Sequence, residues 1–347
     1  MADRVRIGIC GLGSIGSAAT RLLLDHRTGF DLVGAATKQP EAIGRPLHEV
    51  AGATTHCDVI VVDELDSLLA MQPDIIVYST GSFLSEVGDD VERIAAAGSN
   101  LVSPCEELAF PFTRDPALSH RLDATARRAG VTILGTGVNP GFIFDGLLSA
   151  ASGSSWDVSS IRGRRVVDVS GFGQNIHLRL GIGYTDDEFA AGHERGTIAG
   201  HVGFPESIQL VAERLGLTLD GPVEESFEPM IAVEAVTTPY GGVPAGHTEG
   251  FVQRAVGRVG GKDLVDFELV LHLRPVAAGF PTSDRFVIDG VHPVSLELNP
   301  GMDAIPATSA QLVNSIPGVL HAAAGLMTIT EVPAAAAWID LTRRTFR

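Results

Sequence analysis

The sequence predicts an α/β chain in two parts, a doubly wound parallel sheet followed by an α+β domain built on a mostly antiparallel sheet. Three observations carry this. Up to residue 145, short apolar runs alternate with runs of helical periodicity, the pattern of a parallel sheet wrapped by helices. Beyond residue 146, apolar residues alternate singly with polar ones, as in strands with one buried face. The 347 residues are more than one ordinary core accommodates and suit two domains. The expected boundaries are 1–145, 146–303, and a segment 304–347 returning to the first domain.

The first strand is Val5-Arg6-Ile7-Gly8-Ile9-Cys10, and Ser17–Asp25 carries apolar residues at helical spacing. Further strands are expected at Asp31–Ala36, Val59–Val62, Asp74–Tyr78, Asn100–Ser103 and Val131–Gly135, with helices at Leu84–Ala97 and Pro116–Ala129. In the second half, Arg165–Val169, Met230–Val236, Glu249–Val259, Asp263–Arg274, Asp284–Ile288 and Pro293–Leu298 read as strands, with a hairpin turn at Gly260-Gly261. Phe204–Leu215 reads as an amphipathic helix and Ala304–Ile316 as another.

Composition narrows the function classes. The formal net charge of −17 opposes binding to a phosphate backbone, so nucleic acid is not an expected partner. Apolar runs are broken by Gly, Pro or charge before membrane-spanning length, and the start leads directly into a strand. A soluble, unanchored chain in the cytoplasm is the expectation. Cys10, Cys57 and Cys105 are far apart, and neither they nor the 11 histidines show metal-ligand spacing, so no metal site is expected. The apolar stretch Ile316–Ala337 is a candidate for burial against a second subunit, and base rates make a homodimer the expected assembly.

Between the first strand and helix lies Gly11-Leu12-Gly13-Ser14-Ile15-Gly16. In that setting the spacing is the dinucleotide-binding fingerprint of a Rossmann domain. Gly11 permits the turn, Gly13 lets the pyrophosphate approach the backbone, and Gly16 lets helix and strand pack closely. The helix N-terminus offers unpaired N–H groups to the phosphates. The second strand ends in Ala36-Thr37-Lys38, without the acid that binds a ribose 2′-hydroxyl. Thr37 and Lys38 suit a 2′-phosphate, which favours NADP, with NAD open.

In such sheets ligands lie beyond the carboxyl ends of the strands. Ser79-Thr80-Gly81-Ser82-Phe83, with its small residues, would let the backbone run close to the cofactor. Ser103-Pro104-Cys105-Glu106-Glu107 places two carboxylates at a strand end, where side chains diverge and one of them faces the ligand. In Gly135-Thr136-Gly137-Val138-Asn139-Pro140-Gly141-Phe142, Asn139 either bonds the nicotinamide carboxamide or orders its own loop. Gly200-His201-Val202-Gly203-Phe204 sets a histidine before a helix, suited to proton transfer or to a structural bond with backbone. Phe142, Phe144, His201 and Gln174 are the candidate substrate contacts. Arg162, Arg164 and Arg165 either recognise a substrate carboxylate or pair with the chain's acids.

With these motifs the chain resembles the 2,4-diaminopentanoate dehydrogenases and native amine dehydrogenases, which share the architecture of dihydrodipicolinate reductases. The resemblance rests on Gly11–Gly16, the Glu106-Glu107 segment, the Gly135–Phe142 segment and Gly200-His201-Val202-Gly203-Phe204-Pro205-Glu206-Ser207. The lysine-containing catalytic segment of a true dihydrodipicolinate reductase is not visible. The resemblance implies NAD(P)-dependent oxidative deamination of an amine, reversible as reductive amination of a small ketone or aldehyde with ammonia. It further implies that Glu106 or Glu107 binds the amine. Two rival readings are an aldehyde-oxidising enzyme with Cys105 as nucleophile, and a dinucleotide-binding sensor without catalysis.

Overall fold

The computed structural model describes residues 4–340. They fall into two compact units, one of residues 4–142 and 304–340, the other of residues 143–303.

The first unit begins β1 (Val5–Cys10), α1 (Ser14–His26), β2 (Phe30–Ala36), α2 (Leu47–Ala51), β3 (Val61–Val62), α3 (Leu65–Leu69), β4 (Ile75–Tyr78) and α4 (Leu84–Ala96). It continues with β5 (Asn100–Ser103), a 3₁₀ turn over Glu106–Ala109, α5 (Pro116–Ala129) and β6 (Thr132–Gly135). The second unit carries α6 (Gly146–Ser152), β7 (Val158–Asp168), α7 (Gln174–Arg179), α8 (Asp186–Glu194), α9 (Phe204–Arg214), β8 (Glu224–Ile231), β9 (Val236–Thr238) and β10 (Gly241–Val243). Then come β11 (Thr248–Val259), β12 (Lys262–His272), β13 (Ser283–Gly290) and β14 (Val294–Leu298). The chain re-enters the first unit with α10 (Ala304–His321) and β15 (Gly325–Met327).

The strands of the first unit form one sheet in the order β15-β6-β5-β4-β1-β2-β3, every pairing parallel. All carboxyl ends therefore share an edge. The order reverses between β1 and β4, and ligands of such sheets bind at that point. The central strands are closed off on both faces: Ile7, Ile9, Ile75, Val77 and Leu134 join one core, and Ile76, Leu101 and Ile133 the other. Burial on both faces explains why these strands read as continuous apolar runs.

The second sheet runs β14-β13-β7-β12-β11-β8, antiparallel except for β7 against β12. Its buried face packs around Phe144, Phe204, Phe267 and Phe286, whose ring centroids lie 4.5 to 6.1 Å apart. Gly163 sits in the middle of β7 because a Cβ there would press on three of those rings.

Three expectations are corrected. The strand expected at Arg165–Val169 starts at Val158, since Gly163 is a packing contact and not a break. The strand expected at Met230–Val236 is instead the exposed acidic strand Glu224–Ile231 followed by the short Val236–Thr238. The apolar stretch from Ile316 to Ala337 fills its own unit: Ile316, Val319, Met327 and Val332 are buried in one core, and β15 pairs with β6. Its apolarity is thus no argument for a second subunit. Among the described residues no helix is long and apolar enough to cross a membrane.

Candidate functional site

The glycine turn after β1 is joined to its neighbours by backbone bonds. Gly11 N–H donates to Ala36 O at the end of β2 (2.9 Å), and Ser79 N–H after β4 donates to Cys10 O (2.7 Å). Ser79 Oγ donates to Gly11 O at 3.1 Å. The three glycines answer to different demands. Gly11 has φ +90°, and a Cβ on it would collide with the Ser79 carbonyl. A Cβ on Gly16 would fall far inside contact with Gly11 O and 2.6 Å from Ser79 Oγ. A Cβ on Gly13 would meet nothing within 4 Å. The fold itself demands Gly11 and Gly16 and makes no steric demand on Gly13.

Helix α1 starts at this point with no side-chain cap and no acid in its first turn. Its N–H groups and positive dipole end face outward at exposed Gly13 and Ser14, while Leu12 is buried and Ile15 half-buried. Helix α10 braces α1, with Ser309 Oγ donating to Ile15 O (3.3 Å). A backbone cradle at an uncapped helix start, with room at Gly13, fits a dinucleotide pyrophosphate.

At the end of β2, Thr37 is buried; its N–H donates to Val62 O of β3 (3.0 Å) and its Oγ1 accepts from Gln39 N–H (3.4 Å). Lys38 is exposed, and its Nζ lies 3.5 Å from Glu64 Oε2. Of the two residues read as 2′-phosphate ligands, Lys38 presents its polar end to solvent and Thr37 serves the turn.

The two carboxylates after β5 differ sharply. Glu107 is buried, and its Oε2 accepts from Leu84 N–H at the start of α4 (2.7 Å). Its Oε1 lies 3.4 Å from Arg114 Nε, and its own N–H donates to Ser82 O (3.3 Å). Cys105 Sγ donates to the same Ser82 O (3.2 Å). Glu107 and Cys105 therefore fasten the loop after β4, which carries Ser79, Thr80 and Gly81, to the loop after β5. Glu106, in the same 3₁₀ turn, is half-buried. Burial pushes the Cys105 thiol well above its ordinary pKa, so it is a poor nucleophile and the Cys105 reading falls.

The loop after β6 is built for close backbone approach. A Cβ on Gly135 would strike the backbone of Leu108 in the 3₁₀ turn, and Gly141, at φ +120°, lies against the Gly137 backbone. Val138 N–H donates to Thr308 Oγ1 of α10 (3.2 Å), which holds the loop that carries Asn139. Thr136 is buried, and its hydroxyl finds no hydrogen-bond partner.

The structure thus gathers Gly11–Gly16, Thr37, Lys38, Ser79, Thr80, Gly81, Glu106, Glu107 and Asn139 along one edge of one sheet. Phe142 closes the same unit and is half-buried. Phe144, Gln174 and His201 belong to the second unit. Phe144 is wholly enclosed by the aromatic core, so it shapes that core and lines no pocket. Gln174 is exposed at the start of α7. His201 has its backbone gripped on both sides by the buried Gln253 amide: its N–H donates to Oε1 (2.8 Å) and its O accepts from Nε2 (2.9 Å). Burial and the Arg165 charge push its imidazole down to about 3, so the ring is neutral near pH 7 and carries no proton to donate as an acid. The three arginines are all paired: Arg162 with Asp289 (2.9 Å), Arg164 with Glu268 (2.5 Å) and the buried Arg165 with Asp284 (2.8 Å).

Reading the sequence missed Glu64, Arg114 and Thr308. No local spacing marks them: Glu64 is brought to Lys38 by the pairing of β2 with β3, Thr308 to Val138 by helix α10, and Arg114 reaches Glu107 across an irregular turn.

A family model described as the 2,4-diaminopentanoate dehydrogenase C-terminal domain matches residues 142–347. The 2,4-diaminopentanoate dehydrogenase of Acetoanaerobium sticklandii is 32% identical over 333 residues, covering 95% of this chain and 94% of that protein. An amine dehydrogenase of Streptomyces virginiae is 25% identical over 351 residues, covering 94% and 95%. The solved amine dehydrogenase of Mycobacterium smegmatis superposes with a TM-score of 0.85 at 25% identity, covering 96% of this chain and 97% of its own.

Proposed function

This chain belongs to the 2,4-diaminopentanoate dehydrogenase family and is an oxidoreductase acting on amines, and from that premise we propose that it reductively aminates a small aliphatic ketone or aldehyde, reversibly, with NADP preferred. The family membership displaces the reading as a sensor without catalysis. In the aminating direction, ketone, ammonia, reduced cofactor and one proton give amine, oxidised cofactor and water. When bound, the nicotinamide supplies or takes the hydride at the substrate carbon. The chain's residues do the rest.

The division of labour in the acid pair carries this reading. Glu107 is buried, with its Oε2 on Leu84 N–H and its Oε1 beside Arg114, whereas Glu106 is half-buried in the same turn, and the amine contact is assigned to Glu106 on that difference in exposure. Loss of water from the carbinolamine produces a cationic iminium. A carboxylate held at the strand ends stabilises that charge more than it stabilises the neutral ketone, which lowers the barrier. The same group takes a proton from the adding ammonium nitrogen and returns one to the departing hydroxyl.

The pairing of Arg162, Arg164 and Arg165 with acids favours a substrate without a carboxylate. The 32% identity to a 2,4-diaminopentanoate dehydrogenase favours a diamino acid as the second reading. One assay separates them: loss of reduced-cofactor absorbance with ammonium and a panel of small ketones, beside reduction of oxidised cofactor by 2,4-diaminopentanoate. Ammonium-dependent turnover of simple ketones supports the first reading. Turnover confined to the diamino acid overturns it.

A further inference from the structure

We propose that Glu64, on the strand next to the ribose-binding end of β2, sets how strongly this chain discriminates between NADP and NAD. The inference rests on the assignment of Lys38 to the 2′-phosphate. Strands β2 and β3 pair in parallel through Ala35 with Val61 and Ala36 with Val62, and Thr37 N–H continues the ladder to Val62 O. The two chains therefore leave the sheet side by side, one as Thr37-Lys38 and the other as Asp63-Glu64. Glu64 reaches across to Lys38 at 3.5 Å. The acid that such folds place at the end of β2 to hold a ribose 2′-hydroxyl is missing there, yet a carboxylate is present 3.5 Å from the cation that replaces it.

The consequence is a conflict for one cofactor only. A 2′-phosphate brings close to two negative charges. It must take Lys38 from Glu64 and then sit beside the displaced carboxylate. A 2′-hydroxyl asks for neither. Both side chains are mostly exposed, at 80% and 62%, so their mutual attraction is weak and is readily exchanged for a stronger anion. Glu64 makes no side-chain bond to the helix it precedes, so Gln is tolerated there. Lys38 thus admits NADP and Glu64 limits how far it is preferred.

The test is fluorescence titration of NADPH and NADH into the purified full chain, its Glu64→Gln variant and its Lys38→Met variant. With a unit charge removed 3.5 Å from the cation assigned to the phosphate, in a solvent-rich setting, Glu64→Gln should tighten NADPH binding on the order of 3- to 10-fold. NADH binding should stay within about twofold. Raising salt should shrink the difference between parent and variant. Lys38→Met should weaken NADPH on the order of tenfold and leave NADH alone. If Glu64→Gln leaves NADPH unchanged while Lys38→Met weakens it, the role of Glu64 is overturned and the Lys38 assignment stands. An equal gain for both cofactors also overturns it. If Lys38→Met leaves NADPH binding intact, the 2′-phosphate assignment itself fails, and the proposal with it.

Discussion

The contrast between Gly13 and Gly16 allows cofactor binding to be separated from folding by adding one methyl group. In Gly13→Ala the new Cβ meets no protein atom within 4 Å, and φ is −70°, open to alanine. Exchange of Gly for Ala at a helix N-cap costs up to about 1 kcal/mol. Restricting the unfolded chain returns about 0.4–1 kcal/mol. The two nearly cancel, so the melting temperature should move by no more than about 2 °C. The methyl group nonetheless occupies the space through which a pyrophosphate reaches the N–H groups of α1. Loss of one charge-assisted bond costs about 1.5–3 kcal/mol, which weakens cofactor binding roughly 10- to 150-fold. In Gly16→Ala the methyl group collides with Gly11 O and Ser79 Oγ, and overpacking of about 1–3 kcal/mol should lower the melting temperature by several degrees. Thermal melts without cofactor, beside fluorescence titration with NADPH, read both quantities. A Gly13→Ala variant that binds NADPH as tightly as the parent would refute the cradle, and with it the reason given for a glycine at that position.

Four further outcomes follow from the same geometry. Glu106→Gln should lower kcat by about 100- to 1000-fold with cofactor affinity within about twofold, whereas Glu107→Gln, whose amide oxygen still accepts from Leu84 N–H, should keep most turnover; the reverse ranking in steady-state kinetics would exchange the two roles. Phe144→Ala should destabilise by about 3–5 kcal/mol in chemical denaturation, since the ring is enclosed on every side; a small loss would return it to a substrate contact. Cys105→Ala should retain turnover and iodoacetamide should not inactivate the folded chain at pH 8, because burial holds the thiol protonated; inactivation prevented by substrate would restore the nucleophile. His201 has a folded-state pKa lowered from 6.5 to about 3, so the unfolded chain binds its proton first. Its contribution is intact above pH 6.5 and is lost as pH falls toward 3, by up to about 1.4 kcal/mol per pH unit. The drop in melting temperature from pH 7 to 4.5 should therefore be smaller in His201→Gln than in the parent, and an equal drop would contradict the neutral ring.

The parallel sheet was legible because its strands are short, apolar on both faces and separated by helices with clear periodicity. Pro116–Ala129 has the expected bounds, since Asp115 caps it, Pro116 starts it and Gly130 ends it in a left-handed turn. Legibility failed where local composition and tertiary use part company. Glu224–Ile231 is an outer strand exposed along most of its length, so no alternation marks it. Helix α8 carries a complete capping box between Thr185 and Glu188, a readable mark that the expected strand pattern of this half overshadowed. The Ile316–Ala337 stretch shows the opposite failure. Its apolarity correctly indicates burial, but the partner is decided by the pairing of Gly325–Met327 with Thr132–Leu134, about 190 residues earlier.

The same limit governs the site. The fingerprint glycines act on neighbours within a few residues, so their positions alone convey their use. Glu106 and Glu107 are chemically identical and adjacent, and nothing local tells them apart. They are told apart by Leu84 N–H, which sits at the start of α4 and needs an acceptor whether or not a ligand is present. Releasing Glu107 to a substrate amine would leave a buried donor unsatisfied, at about 1–3 kcal/mol, in every turnover. Glu106 is half-buried in the same turn, and on the proposed reading it is the carboxylate that meets ammonia, carbinolamine and iminium in succession. The Lys38–Glu64 pair, proposed above to set the choice of cofactor, obeys the same rule: the cation follows from β2 and the acid beside it from β3.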